Sequence, residues 1–532
     1  MADVGVGKEM YSELRRDLAP QLPAFLLKQR WFGGKARRIK SADVTDVVPI
    51  RMPGSEAFVL MIKVTYEDNA EESYAMPLLR AVGSAVTPEL EASGLKQEPD
   101  EAGAVVLIDA LKNEEFLRSL LSLIQEKASV PGEKGELRAF QTTAYPRLSP
   151  STVNDLRPKP VGAEQSNSSI IYGHHLILKF FRRIQEGINP DLEIGKFLTE
   201  KTSFANVPPL AGSLEYFTRD GKQMVQGILQ QFVPNEGDAW SFTLESLAPF
   251  YDSAAKHLSD GPEPTGDQHQ RGESILEFAR ASIDPYLAAT EILARRTAEM
   301  HLALASEARD PSFAPEPFTM EFQRTLEQSI RELMARVFAV LRDKMSTLPE
   351  EWRRKAADLA GKEQTIASRF QAALDRPIHA TRTRIHGDYH LGQVLRTGSD
   401  FMIIDFEGEP ARPIAERRVK RSPLQDVAGM LRSFHYAAFA PLLGENKMQA
   451  EDARKMSKWA DVWNALVADR FLAKYFETAS AATFLPQSRE ETQVILDLHL
   501  LEKAIYELGY ELNNRPTWVG IPLQGISKLL SE

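Results

Sequence analysis

Apolar positions along this chain change their period near its middle. In the first part they come in short runs of strand length: Ala57–Tyr66 reads AFVLMIKVTY and Ala104–Leu111 reads AVVLIDAL, followed by Ser169–Tyr172, His175–Phe181 and Ile228–Val233. Such runs, bounded by turn residues, predict strands. Ahead of them, Tyr11–Leu18 and Pro23–Gln29 space their apolar residues as short amphipathic helices, and the pair Gly33-Gly34 after Trp31-Phe32 predicts a stop. Pro190–Thr199 reads as one more helix. Beyond Trp240 the spacing becomes helical over several turns in Tyr286–Ala305, Thr319–Met345, Glu350–Leu374 and Thr492–Asn514. The prolines and glycines of Ala128–Pro160 predict a connection between β elements, and Asp260–Glu273 an exposed loop. Strands early and helices late define an α+β fold.

Composition narrows the function classes. A chain of 532 residues exceeds one hydrophobic core, so two or three domains or lobes are expected. A formal charge of -10 argues against nucleic acid as partner, because a polyanion binder needs a concentrated basic surface. An anionic nucleotide would need local cations or metal. With no cysteine, disulfides, thiolate nucleophiles and iron–sulfur clusters are excluded. No apolar leader opens the sequence and no run reaches bilayer length, so the expectation is a soluble cytoplasmic protein with no membrane partner.

The densest chemistry lies in Arg384–Pro410, RIHGDYHLGQVLRTGSDFMIIDFEGEP. Asp388 stands in a loop opened by Gly387, Gln393 follows five residues on, and Asp405 comes just past the apolar strand Phe401–Ile404. That is the spacing of kinases, where a loop Asp accepts the substrate hydroxyl proton and an amide and a second Asp hold Mg²⁺. Either Asp alone reads as a turn or cap residue; the combined spacing favours the chemistry. Lys179, inside the apolar run HLILKFF, needs a partner, and Glu193 on the helix after Asn189 is the candidate. No Walker A and no G-x-G-x-x-G is present. Where a phosphate-covering loop would stand is GAEQSNSSIIYG, Gly162–Gly173, whose Gln165, Ser166, Asn167 and Ser168 and turn amides could cradle phosphates. His386, Asp388 and His390 also form an H-x-D-x-H set that a metal hydrolase could use, a reading that leaves Lys179, Glu193 and Gln393 without roles. Near the C-terminus, Glu507, Tyr510, Glu511 and Asn514 share one helix face beside Trp518, a polar and aromatic mixture suited to a sugar and equally compatible with a solvated face.

These motifs, together with QRWFGGKAR (Gln29–Arg37), NPDLEIGKFL, ARRTAEMHLALAS (Ala294–Ser306), the run from IIDFEGEPARP to LRSFHYA, and YELNNRPTWVGIPL, resemble the maltokinase family along nearly the whole chain. The resemblance implies a bilobal kinase-like fold. An N-terminal cap domain is expected over 1–108, a β-rich region completing the N-lobe over 109–233, and a helical C-lobe with the catalytic loop and sugar site over 234–532. It implies an ATP- and Mg²⁺-dependent transfer to the C1 hydroxyl of maltose, giving maltose 1-phosphate. Another sugar or amino sugar such as glucosamine is the alternative acceptor. Trehalose synthase, to which such modules are often fused, is the implied protein partner, and a non-catalytic kinase-like subunit of it a further alternative. By position, Asp388 becomes the catalytic base, Gln393 and Asp405 metal ligands with Glu407 (in DFE rather than DFG) adding a carboxylate, and Lys179 with Glu193 the ion pair of the ATP lobe. Gln231, Phe232 and Val233 become the adenine hinge. His390 is placed at the site, and Tyr506, Glu507, Tyr510 and Glu511 toward the sugar.

Overall fold

The computed structural model describes residues 3–531 apart from 54, 101–102, 150–155, 163–166, 261–267 and 444–449. The chain divides into two compact units, Met1–Pro234 with Pro410–Arg417, and Asn235–Glu409 with Arg418–Glu532.

The first unit opens with helices α1 (Asp3–Leu18) and α2 (Leu22–Lys28). An antiparallel sheet follows, of β1 (Ile39–Met52), β2 (Ser55–Tyr66), β3 (Glu71–Val82), β4 (Leu95–Asp100, after the short α3, Pro88–Ser93) and β5 (Gly103–Asp109), in the order β1-β2-β3-β5-β4. Strand alternation gives this sheet two buried faces. Val47, Phe58, Leu60, Ile62, Tyr74 and Met76 pack with Leu14, Leu18, Leu22 and Leu26 of the first two helices. Val48, Val59, Met61 and Ala75 point the other way, toward helix α4 (Glu114–Glu126) and a second sheet.

That second sheet contains β6 (Ser129–Pro131), β7 (Gly135–Gln141), β8 (Pro158–Pro160, after the short α5, Tyr145–Leu148), β9 (Asn167–Tyr172), β10 (Leu176–Phe181), β12 (Leu210–Thr218) and β13 (Gln223–Gln231). Its order is β6-β7-β12-β13-β10-β9-β8. β11 (Arg183–Ile184) runs on from β10 and pairs with β3, and helix α6 (Pro190–Lys201) follows it. Ala128–Pro160, expected as a connection, thus contributes three strands; β6 and β8 are three residues each and contain proline, which hides their period. The two sheets share a buried carboxylate. Asp46 accepts from the Lys134 amide at 2.9 Å and from the Tyr216 hydroxyl at 2.6 Å.

The second unit is helical: α7 (Ala239–Asp260), α8 (Gln268–Leu304), α9 (Met320–Lys344), α10 (Glu350–Ala360), α11 (Glu363–Leu374), α13 (Leu424–Phe439), α14 (Ala450–Thr478), α15 (Arg489–Asn514) and α16 (Gly520–Ser531). Short pieces complete the chain: β14 (Glu316–Pro317) with β15 (Thr381–Arg382), the hairpin β16 (Val394–Thr397) and β17 (Asp400–Ile403), and α12 (Ile414–Arg417), which belongs to the first unit. Two expectations need correction. Glu350–Leu374 is two helices, because Gly361 caps α10 before the helix can continue. Gln268–Glu273, expected in a loop, begins α8; its Gln, Arg and Glu residues favour helix without supplying an apolar stripe. The rest of that expected loop, 261–267, lies outside the described residues. α13 is buried along its whole length, from Leu424 to Phe439, and is the axis of this unit.

Candidate active site

In the first unit strand β10 carries the lysine of the apolar run. Lys179 lies opposite Ser169 on one side and Ile228 on the other. Its Nζ meets Asp191 Oδ2 at 3.0 Å, and Asp191 is only 1% exposed. Asp191 therefore joins the expected partner Glu193 in the first turn of α6, where Asn189 caps the helix by accepting from the Asp191 amide at 2.9 Å. Sequence reasoning passed over Asp191, although the Asn-Pro-Asp opening that marks a helix start contains it. Gln165 and Ser166 lie outside the described residues. Asn167 and Ser168 open β9, opposite Phe181 and Phe180. The Ser168 hydroxyl accepts from Arg182 Nε at 3.0 Å, and Arg182 also reaches Asp109 at 2.6 Å. The Arg182 guanidinium lies 5.0 Å from the centre of the Trp31 ring, which ties the QRWFGGKAR motif to the start of β9. At the end of β13, the Gln231 amide donates to Pro209 O at 3.0 Å and the Phe232 amide to His175 O at 2.8 Å, so Gln231–Val233 runs beside the β9–β10 turn.

In the second unit the loop bearing Asp388 is held from beneath by one carboxylate. Asp426, buried in α13, accepts from the amides of His386 (2.7 Å) and Gly387 (2.9 Å) and meets His301 Nε2 at 3.1 Å. His301 in turn bonds the Tyr475 hydroxyl at 2.8 Å. Burial pushes the Asp426 carboxyl up, but His301, His386 and the Gly387 amide outweigh it and hold the group below the ordinary value. Gly429 sits one turn along α13, and a Cβ there would come 2.6 Å from Tyr389 O; only glycine lets the helix lie against the loop backbone. Ser433, a turn further, accepts from the Leu391 amide at 3.1 Å.

His386 joins the loop to the hairpin. Its Nε2 is 2.9 Å from Ile404 O, its Nδ1 takes the Asp388 amide at 3.4 Å, and its ring packs on Phe406 at 4.9 Å. Both ring nitrogens are used, so His386 is structural and the H-x-D-x-H metal set is not formed. His390 Nδ1 accepts from the Gly392 amide at 3.1 Å; burial lowers its pKa. Asp405 follows β17 with φ 68°, a left-handed conformation that turns its carboxylate to Gln393 Nε2 at 2.8 Å. Gln393 is fixed in turn through its main chain, whose carbonyl accepts from the Ile404 amide at 3.0 Å. The amide and the carboxylate expected to share a cation thus lie together, with Glu407 two residues on. Their oxygens are the hard donors that suit Mg²⁺.

α15 supplies a wall to this loop. Lys503, which sequence reasoning missed, places Nζ 3.3 Å from Asp388 Oδ1 and 5.1 Å from the centre of the Tyr506 ring. Burial alone would lower the lysine pKa, but Asp388, Glu507 and Glu409 together raise it. The Tyr506 hydroxyl is pushed well above its ordinary value by burial and by Glu409 and Asp388. Glu507 accepts from Arg432 Nε at 2.9 Å and Nη2 at 2.7 Å. Tyr510 is exposed, with the Arg515 guanidinium 5.4 Å from its ring centre. Glu511 is 1% exposed and bonds Arg515 at 2.7 Å and Tyr436 at 3.2 Å, so it shapes the end of α15 rather than facing the loop.

The fold is kinase-like. A solved structure of glucosamine kinase in complex with glucosamine, ADP and inorganic phosphate superimposes with a TM-score of 0.59 at 18% identity, over 95% of this chain and 96% of that one. A second crystal form of glucosamine kinase gives 0.60 at 18% identity over 96% and 97%. In sequence, a glucosamine kinase of Mycolicibacterium smegmatis (strain ATCC 700084 / mc(2)155) is 25% identical over 375 residues, 70% of this chain and 80% of its own. One from Streptacidiphilus jiangxiensis is 22% identical over 401 residues, 74% of this chain and 77% of its own. Residues 25–112 match the maltokinase N-terminal cap domain. The N-terminal part of the chain thus matches a maltokinase-type cap, and the chain is similar over most of its length to sugar kinases. None of the described helices is long and apolar enough to cross a membrane.

Proposed function

We propose that this protein is an ATP-dependent sugar kinase that phosphorylates the C1 hydroxyl of maltose. The observation that carries the kinase reading is the single polar cluster in which His386 ties Asp388 to the hairpin bearing Gln393 and Asp405. In this reading Asp388 takes the proton of the acceptor hydroxyl as its oxygen bonds to the γ-phosphorus, and the β–γ bridging bond breaks to release ADP. Lys179, with Asp191 and Glu193 behind it, faces the nucleotide phosphates. Asn167 and Ser168 continue the loop that covers them, and Gln231–Val233 borders the base. Gln393 and Asp405, with Glu407 beside them, would hold Mg²⁺, which when bound offsets negative charge on the polyphosphate. His390, Tyr506, Glu507 and Tyr510 line the acceptor side.

The maltokinase cap match supports maltose as acceptor. Glucosamine, named for both relatives and for the solved structures, is the second reading. A trehalose synthase partner is supported only by the resemblance of the sequence motifs. A panel of sugars assayed for ADP formation, with the product position read by phosphorus NMR, tests the reading. Asp388→Asn is expected to abolish transfer while ATP still binds. An active Asp388→Asn enzyme refutes the base assignment, and phosphate found on an internal hydroxyl refutes maltose 1-phosphate.

A further inference from the structure

We propose that Lys503 is the residue that restricts the acceptor to uncharged sugars. The inference rests on the sugar-kinase reading above and adds the substrate class. Three acidic groups around the acceptor wall have a cation or a donor: Asp388 has Lys503 at 3.3 Å, Glu507 has Arg432 at 2.7 Å, and Glu409 has the Tyr506 hydroxyl. A site for an amino sugar needs the opposite arrangement, a carboxylate left for the substrate ammonium, because a buried charge without a partner is heavily disfavoured. Here the carboxylate nearest the chemistry is taken by the protein's own ammonium.

Lys503 is well placed to hold that position. Its side chain is 29% exposed, its ammonium sits by the face of Tyr506, and the three surrounding acids keep it charged. A substrate ammonium brought to Asp388 would meet a like charge in a partly desolvated pocket, the repulsive element that specificity requires. A neutral sugar meets none, and its hydroxyl is served by the second Asp388 oxygen while Lys503 occupies Oδ1.

The test compares kcat/KM for maltose and for glucosamine in the full-length protein, at mildly acidic pH where the amino sugar is a cation. The variants are Lys503→Gln, Lys503→Met and the charge-preserving Lys503→Arg, with thermal unfolding to confirm folding. The maltose-to-glucosamine ratio should fall by about tenfold or more in the Gln and Met variants. It should stay near the wild-type value in Lys503→Arg. Taking the ratio cancels any loss of Asp388 positioning, which lowers both rates together. A ratio unchanged in all three variants overturns the proposal, as does a wild-type preference for glucosamine; both outcomes leave the sugar-kinase reading standing. A wild-type protein that phosphorylates neither sugar overturns that reading and this one with it.

Discussion

Replacing Asp426 by Asn asks how much of the catalytic loop's position depends on one buried charge. The substitution keeps the shape of the side chain but turns one acceptor oxygen into a donor facing the His386 or Gly387 amide, bonds of 2.7 and 2.9 Å in the native protein. Hydrogen bonds to a charged group are each worth about 1.5–3 kcal/mol, and losing one while weakening the others predicts about 2–4 kcal/mol of lost stability. Asp426→Ala, which strips the partner from every donor at once, should lose about 3–5 kcal/mol. Against a total of roughly 5–15 kcal/mol, the Asn variant still folds. Its turnover should fall on the order of a hundredfold, the effect of a catalytic group displaced by about 1 Å. Urea unfolding and an ADP-coupled assay measure the two effects. The carboxyl is held below its ordinary value of 3.8, so its stabilisation is fully present above that pH and is lost as pH falls below it. The gap between wild type and Asp426→Asn should therefore close in strong acid. An Asn variant with native unfolding midpoint and native turnover refutes the anchoring argument.

Two other perturbations probe different parts of the molecule. Trp31→Ala removes a ring that is 8% exposed and packs against Arg182 and Tyr74, and should lower stability by about 3–5 kcal/mol. Since Arg182 also holds Ser168 at the end of the loop proposed to cover phosphates, KM for ATP should rise severalfold; an unchanged KM would make the cap scaffold only. His435 is buried beside Arg432 with its pKa pushed well below 6.5, first by burial and then by Arg432 and Lys528. The unfolded chain binds a proton that the folded one refuses, so this stability is present above pH 6.5 and lost below it, at up to about 1.4 kcal/mol per pH unit. His435→Phe should flatten the curve between pH 6.5 and 5, and an equally steep variant curve would rule this histidine out.

The α+β division, most strands and the spacing of Asp388, Gln393 and Asp405 were legible because each is written in consecutive residues. Asp191 was passed over although Lys179 was singled out: both are polar residues in apolar surroundings, but which acid of a helix's first turn meets a strand lysine is decided by packing. Lys503 was missed for a related reason. It lies 115 residues from Asp388, and nothing local distinguishes it from a solvated helix lysine. For Glu511 the structure adds what a helix face does not show, that Arg515 and Tyr436 both bond its carboxylate.

The stretch SPLQDVAGMLRSFHYA, Ser422–Ala437, shows what the fold adds to a motif. Read as sequence it is a buried helix with too many polar residues. In the structure Asp426, Gly429 and Ser433, spaced by three and then four residues, form one stripe, and each contacts the backbone of the catalytic loop: the His386 and Gly387 amides, Tyr389 O, and the Leu391 amide. Arg432 and Tyr436, four residues apart on an adjoining stripe, hold Glu507 and Glu511 of α15. One rigid helix therefore sets the register between the loop that carries Asp388 and the wall that carries Lys503 and Tyr506. A shift of α13 would move both sides of the proposed acceptor site at once. That is why its polar residues are tolerated where an all-apolar helix would pack as well, and why the loop itself needs so few contacts of its own.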